Sequence, residues 1–216
     1  MDQLLGERPV NRDHRRISRA LTVAEADALV NAARDPRRRL LYVLRFCTGL
    51  RVLEASRLEW SDLDLDDGLL RLRASITKNA KADLIPIAAD LDDEIARYQR
   101  QALRNGQTLT DRIFPSVPSR PTWRRDLDRA GVQWMVGGEQ ADRKCTRKTF
   151  ESHLLRSGCD IAIVMLLMRH TPRGGMALTL GPYADVQELL DRKRAAITAM
   201  TTWQEQERKA AKCNTG

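Results

Sequence analysis

Apolar residues recur at helical spacing along most of the chain, and eight segments combine this spacing with end signals typical of helices. In the first segment, Thr22 precedes the apolar stripe and Glu25 follows three residues later, which is the pattern of a capping box. In the second, Pro36 begins the segment and Gly49 ends it. The helices are predicted within residues 21–34, 36–49, 51–60, 89–106, 122–132, 146–158, 160–170 and 187–208.

Two short runs rich in Leu and Ile depart from the helical spacing, at residues 69–75 and 84–88. The polar stretch 76–83 lies between them, so the pair predicts a β-hairpin or the edge of a small sheet. Residues 133–144 contain a Gly-Gly pair and are predicted to form a loop, and residues 171–186 are broken by Gly and Pro. The predicted fold class is mainly α with a small antiparallel β-sheet, an α+β arrangement.

The 216 residues divide into three parts by composition. Residues 1–20 are polar and basic without a period, and we interpret them as an arm or linker. Residues 21–203 are expected to form one domain, because 42% of the chain is hydrophobic and can build a sizeable core. Residues 204–216 are expected to be a polar tail.

The net charge and the cysteine pattern indicate what kind of partner the protein binds and in which compartment it is found. The formal net charge is +8 and arginine dominates the basic set, which suits a partner that presents phosphates. The scattered cysteines form no CxxC pair, and the set Cys145, His153, Cys159 and His170 fits no ordinary zinc spacing. We therefore expect no metal and no cofactor. No signal peptide and no membrane-length apolar run are present, so we expect a cytoplasmic protein without a membrane partner.

Several cations stand where they could bind an anion, although each has an ordinary structural explanation. Arg51 opens a helix and Glu54 lies one turn later, which also describes a surface ion pair. Lys78 lies at the expected hairpin tip, where an edge lysine is common, and Lys81 is a competing choice.

The second basic group lies at the start of the helix predicted within residues 146–158. Lys144 and Arg147 are three residues apart there, where two cations oppose the helix dipole unless an anion binds. A solvated basic patch explains them equally well. His170 ends an apolar helix, and Tyr183 lies in the segment broken by Gly and Pro.

The order of these residues along the chain carries more information than any one of them. The stretch "TGLRVLEASRLEWSDLDLDDG" resembles the first active-site box of the tyrosine recombinase, or phage integrase, family. "TKNAKADLIPI" is similar to the hairpin lysine and following strand of that family. "KCTRKTFESHLLRSGCDIAIVMLLMRH" is similar to its second box and the L-G-H stretch, and "LTLGPYADV" to the region of its nucleophile. The first box is matched at Thr48, Gly49, Arg51, Glu54, Leu58, Trp60, Asp62 and Asp64.

The resemblance implies a site-specific recombinase that cuts and rejoins DNA through a 3′-phosphotyrosyl intermediate. Tyr183 would be the nucleophile, and Arg51 and Arg147 would clamp the nonbridging oxygens. Lys78 would protonate the leaving 5′-oxygen, and His170 would donate a hydrogen bond to the phosphate. The implied catalytic set is Tyr183, Arg51, Arg147, Lys78, His170 and Lys144, with Glu54 orienting Arg51 or a neighbouring residue.

Three departures from the family pattern bear on activity. Lys144 occupies the position where the second box has a histidine, and a lysine accepts a proton only when its pKa falls well below about 10.4. Lys148 replaces a second histidine. The segment between His170 and Tyr183 is longer than the pattern by a few residues.

The family also implies partners and leaves alternatives open. Its members act on double-stranded DNA as tetramers, and the last helix could dock on a neighbouring copy or pack on its own domain. An N-terminal clamp domain of the family is not recognised, so the chain could be naturally short, a fragment or a decayed gene product. The alternatives to a recombinase are a catalytically impaired DNA-binding relic, a type IB topoisomerase and a purely structural helical protein.

Overall fold

A computed structural model describes residues 17–170 and 185–213 of the chain. Eight helices are present within these ranges, in the order that the hydrophobic spacing predicts. They are α1 Val23–Ala32, α2 Pro36–Thr48, α3 Val52–Ala55, α4 Ala89–Arg104, α5 Arg120–Arg129, α6 Cys145–Arg156, α7 Ile161–Leu167 and α8 Val186–Cys213. The fold is mainly helical with small antiparallel sheets, which confirms the predicted fold class.

The helix ends follow the sequence signals. The capping box is formed, since the Thr22 hydroxyl accepts from the Glu25 amide at 3.1 Å and Glu25 accepts from the Thr22 amide at 2.9 Å. Pro36 begins α2, and Gly49 ends it in the left-handed region at φ +60°. The capping signals therefore placed these two helices correctly.

Helix α3 is much shorter than the predicted span of residues 51–60. The Leu58 carbonyl accepts from Ile113, and the amides of Trp60 and Ser61 donate to the segment 109–111. A short 3₁₀ turn covers Trp60–Asp62. The backbone there pairs with a distant part of the chain, which a local spacing pattern does not report.

The main sheet has three antiparallel strands in the order β1-β2-β3, with β1 Leu63–Asp64, β2 Leu69–Leu72 and β3 Asp83–Pro86. The predicted hairpin is β2 with β3, in a register that pairs Leu70 with Ile85. Its connection contains the 3₁₀ turn Ala74–Ile76. Strand β1 was not predicted.

The predicted loop at residues 133–144 is in fact a small hairpin, with β4 Met135–Val136 and β5 Glu139–Gln140. Gly137 and Gly138 both have positive φ, at +57° and +83°, as a two-residue hairpin turn requires. The prediction was wrong here because the strands are too short to show an alternating pattern.

Both ends of the described chain pack onto the domain. Ser18 bridges to Gln140 of β5, within the range predicted as an arm. Helix α8 continues to Cys213 and so includes residues 204–213, which were expected to be a tail. The Arg208 guanidinium meets Asp27 of α1 at 2.7 and 2.9 Å. No helix in the described part of the chain is long and apolar enough to cross a bilayer.

Helix α2 packs on α6 at the centre of the core. The ring of Phe150 lies so close to Gly49 that a Cβ there would meet it at 2.5 Å. Two turns earlier in α2, Tyr42 makes an edge-to-face contact with Trp123, and its hydroxyl donates to Asp126 at 2.7 Å. This packing brings the end of α2 and the start of α6 together.

Candidate active site

The site is built around the buried carboxylate of Glu54. Arg51 directly precedes α3, and its amide and its Nη1 donate to Glu54 at 2.8 and 2.6 Å. The Glu54 side chain is 1% exposed, whereas that of Arg51 is 30% exposed. Burial alone raises the pKa of Glu54, but the charges of Arg169 and Arg51 outweigh it and lower the pKa. Glu54 is therefore ionised and holds Arg51 at the mouth of the site.

Arg147 reaches the same place from the first turn of α6. Its Nη1 donates to the Gly49 carbonyl at 2.5 Å, and its Nη2 donates to the Met168 carbonyl. Burial, with repulsion from Arg169 and Arg51, lowers the pKa of Arg147 to about 9. An anion that binds beside Arg147 would therefore stabilise the charged form of its guanidinium.

Arg169 is the site residue that sequence reasoning missed. It stands at the glycine of the L-G-H pattern, its side chain is 4% exposed, and its Nη2 donates to Glu54 Oε2 at 2.9 Å. The same nitrogen lies 3.0 Å from the Gly49 carbonyl. An arginine at the end of a largely apolar helix was the available signal, because a buried cation needs a partner.

His170 follows directly and lies beside the three arginines. Partial burial lowers its pKa, and the charges of Arg147, Arg51 and Arg169 lower it further, against an opposing effect of Glu151. The imidazole is therefore mainly neutral at pH 7 and can donate one hydrogen bond.

Lys144 lies at the entrance to α6 with an exposed side chain. Its amide donates to Asp142 at 2.8 Å, and its carbonyl accepts from the Arg147 amide at 3.0 Å. Lys148 points to Glu151, with an ion pair at 3.1 Å. Lys144 thus lies one helical turn from Arg147.

The entrance to α6 is tethered by Arg45, a buried arginine of α2. Its Nη2 donates to the Arg143 carbonyl at 2.6 Å, and its Nε donates to the Leu50 carbonyl at 3.4 Å. Burial lowers the pKa of Arg45 to about 10. The tether links the residue before Lys144 to the residue before Arg51.

Of the remaining predicted residues, Lys78 makes no hydrogen bond or ion pair with this cluster in the described part of the chain, and Tyr183 is not described. Lys78 is exposed in the β2–β3 connection, where its ammonium makes no hydrogen bond or ion pair to any residue in 17–170 or 185–213. The Thr77 hydroxyl shapes this turn by bonding the backbone of Lys81 at 2.8 and 3.1 Å. Tyr183 lies outside the described residues.

Two guanidiniums therefore bind one carboxylate, and a third, that of Arg147, shares the Gly49 carbonyl with Arg169, which leaves positive charge for a ligand that carries paired oxygens. In the described residues no group of three His, Cys, Asp or Glu side chains is arranged to hold a metal ion. The fold and the site define an α+β domain with an arginine cluster suited to phosphate.

Comparison with known proteins identifies the family. The model of the phage integrase family matches residues 19–177, and the chain belongs to this family. The resemblance to a tyrosine recombinase catalytic domain is thereby confirmed.

The curated relatives are tyrosine recombinases. The chain is 30% identical to tyrosine recombinase XerD of Yersinia pestis over 168 residues, which cover 72% of this chain and 55% of that protein. It is 31% identical to tyrosine recombinase XerA of Thermococcus kodakarensis over 165 residues, 73% of this chain and 56% of that protein. The chain thus spans about half the length of the curated relatives that it matches.

Solved structures share the fold. The integrase from mycobacterium phage Brujita superposes with a TM-score of 0.60 at 22% identity, covering 90% of this chain and 60% of that one. XerA recombinase superposes with a TM-score of 0.61 at 24% identity, covering 81% of this chain and 64% of that one.

Proposed function

We propose that this chain is the catalytic part of a site-specific recombinase that cuts and rejoins double-stranded DNA through a 3′-phosphotyrosyl intermediate. The observation that carries the proposal is a linked arginine cluster in a domain of this family: Arg51 and Arg169 bind Glu54, and Arg147 shares the Gly49 carbonyl with Arg169. A pentacoordinate phosphorane carries charge on its nonbridging oxygens, and preorganised guanidiniums stabilise that charge.

In the proposed reaction, the Tyr183 hydroxyl gives its proton to the neutral amine of Lys144, and its oxygen forms a bond to the scissile phosphorus while the bond to the 5′-oxygen breaks. Arg51, which is partly exposed, and Arg147, which is anchored on the Gly49 carbonyl, bind the nonbridging oxygens. Lys78 gives a proton to the leaving 5′-oxygen. A 5′-hydroxyl of another strand then reverses the step. The neutral imidazole of His170 donates to the phosphate.

The proposal is tested with nicked suicide duplexes of randomised sequence, because selection of covalent adducts then finds the target site together with the activity. The expected result is a detergent-resistant protein–DNA adduct whose tryptic peptide carries the DNA on Tyr183. Tyr183→Phe is the matched control and should yield no adduct. Adduct formation by that variant would overturn the assignment of the nucleophile.

A second candidate function is that of a DNA-binding relic without catalytic activity. Substitution of Lys144 tests this candidate against the active recombinase. The relic is favoured by the lysine at the position of the proton-accepting histidine. We expect Lys144→His to raise the rate of adduct formation, because an imidazole accepts the tyrosine proton near neutral pH. A lower rate would mean that the lysine has an adapted role. Equal rates would place it outside the reacting groups.

Binding measurements separate the two candidates. A relic would bind its DNA site tightly, and neither the parent protein nor the Lys144→His variant would form a covalent adduct. In both cases the affinity should fall steeply with salt, since each neutralised phosphate contributes about −0.9 to the slope of log K against log salt. Sedimentation of the DNA complex tests the proposed tetramer, and a complex of one chain on each site would contradict it.

A further inference from the structure

Arg169 occupies a backbone position that favours glycine. The amide of His170 donates to the Met165 carbonyl at 3.0 Å, and the amide of Arg169 donates to the Leu166 carbonyl at 2.8 Å. These two bonds close α7 in a Schellman motif, and Arg169 has the left-handed φ of +51° that the motif requires. A side chain at this position costs conformational energy, so its contacts must offset that cost.

The side chain of Arg169 is too buried to be a DNA contact of its own. It is 4% exposed, and Nη1 donates to the Leu167 carbonyl at 2.9 Å while Nη2 serves Glu54 and Gly49. Its Nε is buried without a hydrogen-bond partner among the described residues. Arg169 therefore acts through its neighbours.

Those neighbours carry the proposed phosphate ligands. Glu54 Oε1 accepts from the Arg51 guanidinium, and Oε2 accepts from both the Arg51 amide and the Arg169 guanidinium. The Gly49 carbonyl accepts from both Arg147 and Arg169. The next residue along the chain is His170, whose direction is set by the same left-handed turn. Arg169 thus hydrogen-bonds Glu54, which also binds Arg51, and the Gly49 carbonyl, which also binds Arg147. It also forms the turn that directly precedes His170.

We propose that Arg169 is a positioning residue that sets Arg51, Arg147 and His170 as one preorganised phosphate site. Its guanidinium shares Glu54 Oε2 with the Arg51 amide, so the Arg51 guanidinium is held through Oε1 and keeps its other donors for the phosphate. The inference rests on the proposed function, since the site must bind a phosphodiester for the positioning to matter.

Arg169→Gly is the cleanest variant, because glycine is the preferred residue of the motif and preserves the end of α7. Arg169→Lys retains the charge but has one point of attachment and should restore part of the effect. Arg104→Gln is the matched control, because it removes one positive charge from a helix end outside the cluster.

The first measurement needs no DNA cleavage. Inorganic phosphate is titrated into each protein, while NMR follows the side-chain N–H signals of Arg51 and Arg147 and the ring signals of His170. We expect Arg169→Gly to fold, to bind phosphate about 10-fold more weakly and to titrate His170 at higher pH, since a repelling charge is removed. Unchanged phosphate affinity and unchanged His170 titration would overturn the proposal.

The second measurement separates positioning from simple affinity. At saturating suicide DNA, we expect the adduct rate of Arg169→Gly to fall about 10- to 100-fold, with Arg169→Lys in between and Arg104→Gln unchanged. A loss confined to DNA affinity, with an equal rate at saturation, would contradict positioning. If the parent protein forms no adduct but shows the NMR effects, the recombinase proposal fails while the role of Arg169 stands.

Discussion

The contact between Gly49 and Phe150 offers a quantitative test of how the two halves of the site are joined. Gly49 has φ +60°, and a Cβ there would meet the ring of Phe150 at 2.5 Å. In Gly49→Ala the left-handed backbone costs about 1–2 kcal/mol, and overpacking against a buried ring costs about 1–3 kcal/mol. The free energy of unfolding should therefore fall by about 2–5 kcal/mol, a loss of about 4–20 °C in Tm for a chain of this size.

The matched control is Gly106→Ala. Gly106 also lies at a helix C-terminus with positive φ, +86°, but nothing lies within 4 Å of an added Cβ. Only the backbone cost remains, about 1–2 kcal/mol. Urea unfolding followed by circular dichroism measures both variants, and equal m-values are required for the comparison.

A third variant isolates the clash itself. Phe150→Leu shortens the side chain, so the double variant with Gly49→Ala should be more stable than the sum of the single effects by about 1–2 kcal/mol. The reasoning is refuted if Gly49→Ala costs no more than Gly106→Ala, or if the two sites show no coupling. Since the Gly49 carbonyl binds Arg147 and Arg169, the same variant should also weaken phosphate binding.

Three further predictions concern buried polar groups. Burial lowers the pKa of His153 below 6.5, so as the pH falls the unfolded chain binds a proton before the folded chain does. The free energy of unfolding should therefore decrease as the pH drops below about 6.5. Urea unfolding at several pH values should show that this decrease is smaller in His153→Gln. Tyr42→Phe removes the 2.7 Å bond to Asp126 and should cost about 1–2 kcal/mol with an unchanged m-value, and a neutral result would contradict a net contribution of this bond. Glu54→Gln leaves Arg169 as an uncompensated buried cation, so thermal unfolding should report a loss of about 3–5 kcal/mol, whereas no loss would mean that the pair is not buried in solution.

Much of the local structure follows from the sequence alone. Thr22 with Glu25 and Pro36 with Gly49 determine helix ends because the partners lie within one turn of each other. The β2–β3 hairpin is predictable because its two apolar strands follow each other along the chain, separated by the connection 73–82. The motifs at residues 48–68 and 144–170 indicate the family, and the family model confirms it.

The tertiary structure decided what depends on distant parts of the chain. It ended α3 early because residues 58–61 hydrogen-bond the segment 109–113. It joined Arg51 to Arg147 through the packing of α2 on α6, and it placed Arg169 on Glu54, 115 residues away. A cation at a helix C-terminus stabilises the fold when it is exposed but costs free energy when it is buried without a partner. The sequence does not show which of these two cases applies. Only the folded chain shows that Arg169 is buried and that its partner is the carboxylate which also holds Arg51.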